Sequence, residues 1–417
     1  MSEEVLKKVL VVGSSAKEYS LAKKLLESDR VSEVYVAPGN SFMSEFCDCI
    51  DIREDNVSEL LKFVIDNKID LTVASSEKSI KADIAGIFQA NSQLIFAPTA
   101  LSSEFAMSKS FGKKFLYKLH IPTPRFGVFE KEAVAVDYLK TSNMPVVIRM
   151  DENLEGRDRL VCSNLTIAKT FVSDLFCKGE AKVLIEDYVY GHEFTFYVLT
   201  DGYSALPIGT VANYKFMENG NGGLLTSGVG AYVPDYKISS DIEAYLLQNV
   251  IARVLDSLEK RENPYLGILG VDCVLKEDGS IAVLEFRTFL SDHDCKAVLN
   301  LVQDDIYTLF EVCILGALGD DFENVTFSDY SSVSCVIFSK NDGEIVSGLE
   351  SLDEDDISHF ATKKNKYLEC VVPCGRAFVV TKTSNTLSRA RANMYEDIEL
   401  IKFNGKKFRS DICPSVK

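Results

Sequence analysis

The sequence predicts an α/β protein whose amino-terminal part is a doubly wound parallel sheet, and three observations carry that expectation. Short apolar runs alternate with helically spaced segments over residues 8–105, the order that builds βαβ units. Glycine and small polar residues follow the ends of those runs, where open α/β sheets place their ligands. At 417 residues, the chain exceeds what one core supports and implies roughly two to four lobes.

Taken in order, VLVVG is a short buried strand, and SLAKKLLES carries helical spacing with Leu21, Leu25 and Leu26 inward. VYVAPG is the next strand, NVSELLKFVIDNK a helix capped by Asn56, LTVASS a third strand, and QLIFAP closes the set. These elements span a first domain, 1–105, and mark residues 13–18, 38–40 and 75–77 as facing a ligand. From Met107 the pattern changes. SKSFGKKFLYKLHI is a basic amphipathic helix stopped by Pro122 and Pro124. VVIRM, LVCSN and KVLIEDYV follow as strands, with a helix near 165–176, giving a small lobe over 106–190 hinged at 186–189. A larger lobe over 191–323 carries the strands EFTFYVL, LPIGTV, GILGVDCVL and IAVLEFR and a helix at 240–260. The carboxy-terminal αβ domain, 324–417, adds SCVIFS, YLECVV and RAFVVTK with a helix at 385–395.

The formal charge of −17 argues against a nucleic-acid partner, since no basic face emerges easily from such an excess of carboxylates. No apolar run approaches the roughly 18 residues that cross a membrane. The acidic start, MSEEVLKKVLVVGSS, enters a strand at once, unlike a signal peptide. The 11 cysteines fit reduced thiols of a cytoplasmic protein. Cys47 and Cys49 would stand about 7 Å apart on a strand. Cys370 and Cys374 would need two further ligands to hold zinc.

The densest ligand signal is NYKFMENGNGGLLTSGVGAYVP, residues 213–234. Glycines so closely spaced let a backbone approach a ligand and turn N–H groups toward an anion. A flexible surface loop is the plainer alternative. The stretch lies between one Glu-bearing strand pair and a second carboxylate pair, which favours the ligand.

Four segments fix that order: VLVVGSSAKEYSLAKKL, VYVAPGN, IEDYVYGHEFTFYVLTDG and FNGKKFRSDI. Through them the chain resembles the phosphoribosylamine–glycine ligase family of ATP-grasp enzymes, from residue 8 to about 412. The resemblance implies an ATP-grasp fold that clamps ATP between two sheets. It also implies ATP and Mg²⁺ (or Mn²⁺) as cofactors, and amide formation by way of an acyl phosphate. In this family glycine joins phosphoribosylamine in purine biosynthesis. The implied partners are small molecules, namely ATP, glycine or another amino acid, and a phosphorylated sugar amine. Monomer and homodimer both stay open.

Carried over residue by residue, Lys109 matches the first ATP lysine and Arg149 the second, a guanidinium in place of an ammonium. Glu186 matches the hinge acid facing the adenine amino group, with Val189 beside it, and Glu193 the acid that takes the ribose hydroxyls. Glu285 matches the main metal ligand, and Asp272 on the preceding strand is a second metal candidate, two carboxylates suiting a hard cation. Lys215, Arg287 and Asp292 are the candidate catalytic residues. Lys17, Glu18, Asn213, Thr226, Gly228, Gly230 and Phe289 are the candidate substrate contacts.

Several positions depart from the family pattern. The glycine-rich phosphate loop reads Glu152-Asn153-Leu154-Glu155-Gly156-Arg157-Asp158-Arg159. Arg287 stands where the family has a metal-binding asparagine, and Phe289 where it has an arginine near the ribose phosphate. Asp292 keeps its place, and Asp294 replaces a glutamate. On an extended strand, Glu285, Arg287 and Phe289 would share one face. Three readings follow: the family ligase, a homologue that binds nucleotide or a partner without turnover, and a ligase for another amine or amino acid. In the second, the Arg287 charge occupies the metal's place.

Overall fold

The computed structural model describes residues 6–151, 159–179 and 182–413. Its amino-terminal sheet has five strands, all paired in parallel, with Lys7–Gly13 at the centre. Val31–Pro38 and then Asp48–Cys49 lie on one side, Leu71–Ala74 and then Ile95–Phe96 on the other. Val9 to Val12 are wholly buried, as a central strand covered on both faces requires. Asn56 caps the helix Val57–Asn67, its side chain accepting from the Glu59 N–H.

The small lobe is a four-stranded antiparallel sheet ordered Phe126–Phe129, Val183–Asp187, Val146–Met150, Arg159–Cys162. Helices Glu132–Leu139 and Leu165–Cys177 bury Ala135, Leu139, Ala168, Val172 and Leu175 against it. Residues 152–158 of the departing phosphate loop lie outside the described residues.

The largest sheet is antiparallel and runs Ile281–Arg287, Gly267–Leu275, His192–Thr200, Ala205–Glu218, Gly222–Val233, Ser331–Ser339, Gly375–Ser384, Ile357–His359. Lys406–Lys407 pairs beside it on Ser331–Ser339. Strand Gly222–Val233 joins Ser331–Ser339 through Gly230 to Val233, so the sheet runs without a break across the boundary expected at 323/324. The glycine-rich stretch at 213–234 is the end of one long strand and the whole of the next, joined by a turn at Asn219–Asn221. A loose loop is thereby overturned.

Other differences have local causes. The helix expected at 240–260 is Ser240–Leu246 and Ala252–Glu259 with a π-turn at Leu247–Ile251 between them. The last helix is Leu387–Leu400, not 385–395, because Thr386 caps it and Ala390, Met394 and Ile398 continue its buried face. Helices Ala100–Met107, Glu132–Leu139 and Ile306–Ile314 were missed, each being under three turns long and hard to tell from a buried strand by spacing.

Candidate active site

Two sheets and the amino-terminal domain meet at the carboxyl end of Ile281–Arg287. There the ladder pairs Asp272 with Glu285 across neighbouring strands, bringing the two acids together. Asp272 is fully buried. Its Oδ1 accepts from Thr195 Oγ1 at 2.6 Å and Arg287 Nε at 2.7 Å. Its Oδ2 accepts from Lys215 Nζ at 2.9 Å and an Arg287 terminal nitrogen at 2.8 Å. Burial pushes this carboxyl up, but Arg287 and Lys215 outweigh it and hold it below the ordinary range. Arg287 also donates to Ser291 Oγ. Ser291 is fixed in turn by its N–H on Asp294 Oδ1 at 2.7 Å, while Tyr197 donates to Asp294 Oδ2 at 2.8 Å.

Glu285 sits 12% exposed at the cavity edge. Lys109 Nζ lies 3.0 Å and an Arg149 nitrogen 2.9 Å from its Oε2, with Arg159 3.7 Å from Oε1. Burial raises its pKa, yet Lys109, Arg149 and Arg159 together take it well below the usual carboxylate range. The structure thus gathers Lys109, Arg149, Lys215, Arg287, Asp272 and Glu285, six residues marked from sequence, and adds Arg159.

Glu186 departs from its expectation. It lines the narrow cleft at the hinge, but its carboxylate is bonded to Arg149 and lies 2.8 Å from Lys113 Nζ. Both partners are nearly fully buried, so the carboxylate serves as counter-charge to Arg149. Lys113 was missed, although it lies one helical turn after Lys109 on Lys109–Lys118, where i and i+4 share a face. Val189 and Glu193 line a narrow cleft between the small lobe and the large sheet, with Val147, Tyr188, Leu225 and Leu284. Glu193 lies 3.4 Å from Lys215 Nζ. The cleft holds about 50 Å³, room for a few waters and not for a purine ring.

A larger cavity of about 500 Å³ opens beside it, between the amino-terminal strand ends and the segment after Glu285, a size ordinary for small-molecule sites. Residues 13–18 and 75–77 contribute Ser15, Lys17, Glu18, Ser76 and Glu77 to its wall. Residues 38–40 do not contribute: Asn40 donates to Ser14, His359 and Phe360 carbonyls and ties the carboxy-terminal part down. Glu18 is buried and accepts from the Ser15 N–H at 2.9 Å and from the Ser15 and Ser75 hydroxyls, half of a capping box on Ala16–Leu26. Asp292 accepts from the Lys17 N–H at 3.0 Å and shares the single Ser15 hydroxyl proton with Glu18, capping the same helix from across the cavity. Lys17 Nζ donates to the Ser75 carbonyl at 2.8 Å.

The hairpin residues also find protein partners. Asn213 bonds Thr195 through its amide and His293 Nε2 through its Oδ1, the latter at 2.9 Å. Thr226 Oγ1 donates to the Lys215 carbonyl and accepts from the Gly228 N–H. A side chain at Gly228, whose φ is +141°, would overlap the His293 imidazole, and one at Gly230 would overlap Ile412. These two glycines were expected to admit a ligand and instead admit neighbouring side chains. Strand Ile281–Arg287 ends before Phe289, which is 5% exposed, packs into the core and lines the cavity. Glu285, Arg287 and Phe289 all line that cavity, although the strand expected to align them stops at Arg287. His293 was missed altogether, since an isolated histidine carries no spacing signal. Burial, then Arg287 and Arg376, hold its pKa far down, and its Nδ1 finds no hydrogen-bond partner among the described residues.

Three models of phosphoribosylglycinamide synthetase match in sequence: the N domain at residues 7–105, the ATP-grasp (A) domain at 107–295 and the C domain at 338–415. The phosphoribosylamine–glycine ligase of Caldanaerobacter subterraneus is 30% identical over 418 residues, covering 97% of this chain and 99% of that protein. This chain belongs to the phosphoribosylamine–glycine ligase family. The Neisseria meningitidis serogroup B member is 28% identical over 97% of this chain and 98% of its own length. Among solved structures, the Thermotoga maritima phosphoribosylamine–glycine ligase superposes with a TM-score of 0.81 at 21% identity, covering 97% and 99% of the two chains. The biotin carboxylase domain of Hydrogenobacter thermophilus 2-oxoglutarate carboxylase, solved with MgADP, gives 0.73 at 14% identity over 97% and 92%. At those identities the likeness is one of fold, and the fold is ATP-grasp.

The family's ATP-grasp enzymes use ATP with Mg²⁺, so the donor set at Asp272 and Glu285 bears directly on a metal. A carboxylate offers about four lone-pair directions, and the four donors on Asp272 use them all. Glu285 keeps one oxygen whose partner among the described residues is Arg159 at 3.7 Å. No group of three or more His, Cys, Asp or Glu side chains suited to a metal occurs among the described residues. The residues present do not fit a divalent cation shared by these two acids. No helix among them is long and apolar enough to cross a membrane.

Proposed function

We propose that this family member is an ATP-dependent ligase that forms an amide from phosphoribosylamine and glycine through an acyl phosphate. The observation that carries the reading is the run of Lys109, Arg149 and Arg159 on Glu285 where the narrow cleft meets the larger cavity. Val147, Tyr188, Val189 and Leu284 give the cleft apolar walls for a base, and Glu193 offers acceptors for ribose hydroxyls. The cations at the junction would hold the phosphates and stabilise charge on the transferred phosphoryl group. Because the cleft is closed down, the small lobe must swing from the large sheet for a purine to enter, a movement common among enzymes that exclude water from phosphoryl transfer. Lys17 and the Arg287 edge would then face the acceptor side. Phosphate release should require ATP, glycine and freshly made phosphoribosylamine together. Release that does not depend on the two acceptor-side substrates would sink this assignment.

One observation favours a second reading, in which nucleotide binds without turnover. Lys215 and Arg287 spend their donors on Asp272 even though they line the cleft and the cavity. Nucleotide binding with no phosphate release in the complete mixture decides for it.

A further inference from the structure

We infer that this chain binds its nucleotide without a divalent cation held by the protein, the Arg287 guanidinium and Lys215 ammonium supplying at Asp272 the positive charge that a metal would bring. The inference rests on reading the cleft as the nucleotide site.

Three observations support it. The first is saturation: Asp272 accepts two donors on each oxygen, all between 2.6 and 2.9 Å. A cation could reach Asp272 only by displacing one of these donors from a fully buried carboxylate, and the paired guanidinium bonds are among the stronger ones in proteins, which leaves Glu285 without a second acid to share a metal. The second is charge. Among the described residues, the 6 cations Lys109, Lys113, Arg149, Arg159, Lys215 and Arg287 meet the 4 carboxylates Asp272, Glu285, Glu186 and Glu193, so positive charge outnumbers negative. In a pair of acids awaiting a metal the sign is reversed, since the carboxylates carry the excess. The third is support. The Arg287 fork is held on its far side by Ser291, itself fixed by Asp294, which Tyr197 orients from a buried position. A guanidinium locked at both ends is built into the site rather than visiting it.

A preformed cationic corner should bind a polyphosphate whether or not the solution contains Mg²⁺. The test is calorimetric titration of the whole protein with ADP and with ATP, in EDTA and in excess Mg²⁺. The expected result is affinities that agree within about threefold between the two conditions. Weakening of both nucleotides in EDTA by about tenfold or more overturns the inference and leaves the nucleotide site standing. Absence of binding in either condition overturns the cleft reading and the inference with it. Arg287→Asn frees two lone pairs on Asp272. Its nucleotide affinity should fall about tenfold or more in EDTA and return on adding Mg²⁺. Should that variant fail to fold, electron paramagnetic resonance of Mn²⁺ with the nucleotide-free parent gives an independent answer. Free Mn²⁺ signal should persist, and its loss to a bound form overturns the proposal.

Discussion

At the amino-terminal corner of the cavity, Glu18 and Asp292 give their oxygens to backbone N–H groups and serine hydroxyls. At the strand-end corner, Asp272 and Glu285 are met by arginine and lysine. The first pair answers mainly a helix terminus, which carries about half a charge spread over several donors, with Lys17 Nζ a looser 3.8 Å from Glu18 Oε1. The second pair answers whole cations removed from water. Acids that look alike in sequence therefore carry unequal energetic weight, because removing a counter-ion from a buried cation costs far more than removing a cap.

The comparison breaks or sharpens by substitution. Asp272→Asn should cost most, about 3–5 kcal/mol in urea denaturation, because Arg287 and Lys215 lose their shared counter-charge; a loss below about 1 kcal/mol would erase the distinction between the corners. Next comes Phe289→Arg, which puts a guanidinium into the core under both corners. It should lower stability by about 3 kcal/mol, read as a fall in thermal midpoint, rather than restore a substrate contact. Glu18→Gln and Asp292→Asn should each cost about 0.5–2 kcal/mol, the range of helix caps. If either matches Asp272→Asn, the amino-terminal corner carries more than a cap.

The smallest effect is one of pH. Burial, against the pull of Arg287 and the Tyr197 hydrogen bond, pushes the Asp294 carboxyl up to about 7. A carboxyl with a raised folded-state pKa binds its proton more tightly in the native protein. Its contribution is therefore complete below the unfolded value, about 3.9, and is lost as pH climbs through about 7. Asp294→Asn should flatten that part of the stability profile, measured as the difference from the parent across pH 4 to 7 (roughly the window between the two pKa values). A parallel profile would show that Asp294 ionises normally.

Much of the fold was legible because its signals are local. The β-branched strand Lys7–Gly13, the Asn56 cap and the alternation of strands and helices predict the parallel domain without reference to anything distant. The hairpin Ala205–Glu218 to Gly222–Val233 was not legible, since glycine announces close approach without naming what approaches. At Gly228 it is His293, more than sixty positions away in sequence, and at Gly230 it is Ile412. In the candidate site the sequence placed Lys109, Arg149, Asp272 and Glu285 near one another. It could not orient Glu186, whose direction is set by the buried cation Lys113. Nor could alternation along a strand carry to Phe289, because the strand stops at Arg287.

The continuous large sheet constrains where this polypeptide can be cut. Gly230 to Val233 are paired with Ser332 to Cys335, Arg409 donates to the Phe216 carbonyl at 3.0 Å, and Ile412 packs on Gly230. A fragment ending near residue 323 would bare the main chain of a long, largely apolar edge strand, the kind of surface that pairs with other copies and precipitates. Excising the last hundred or so residues is thus a wound to the sheet itself. Protease nicks should be tolerated at the exposed turn around Asn219–Asn221 long before any shortened form stays in solution.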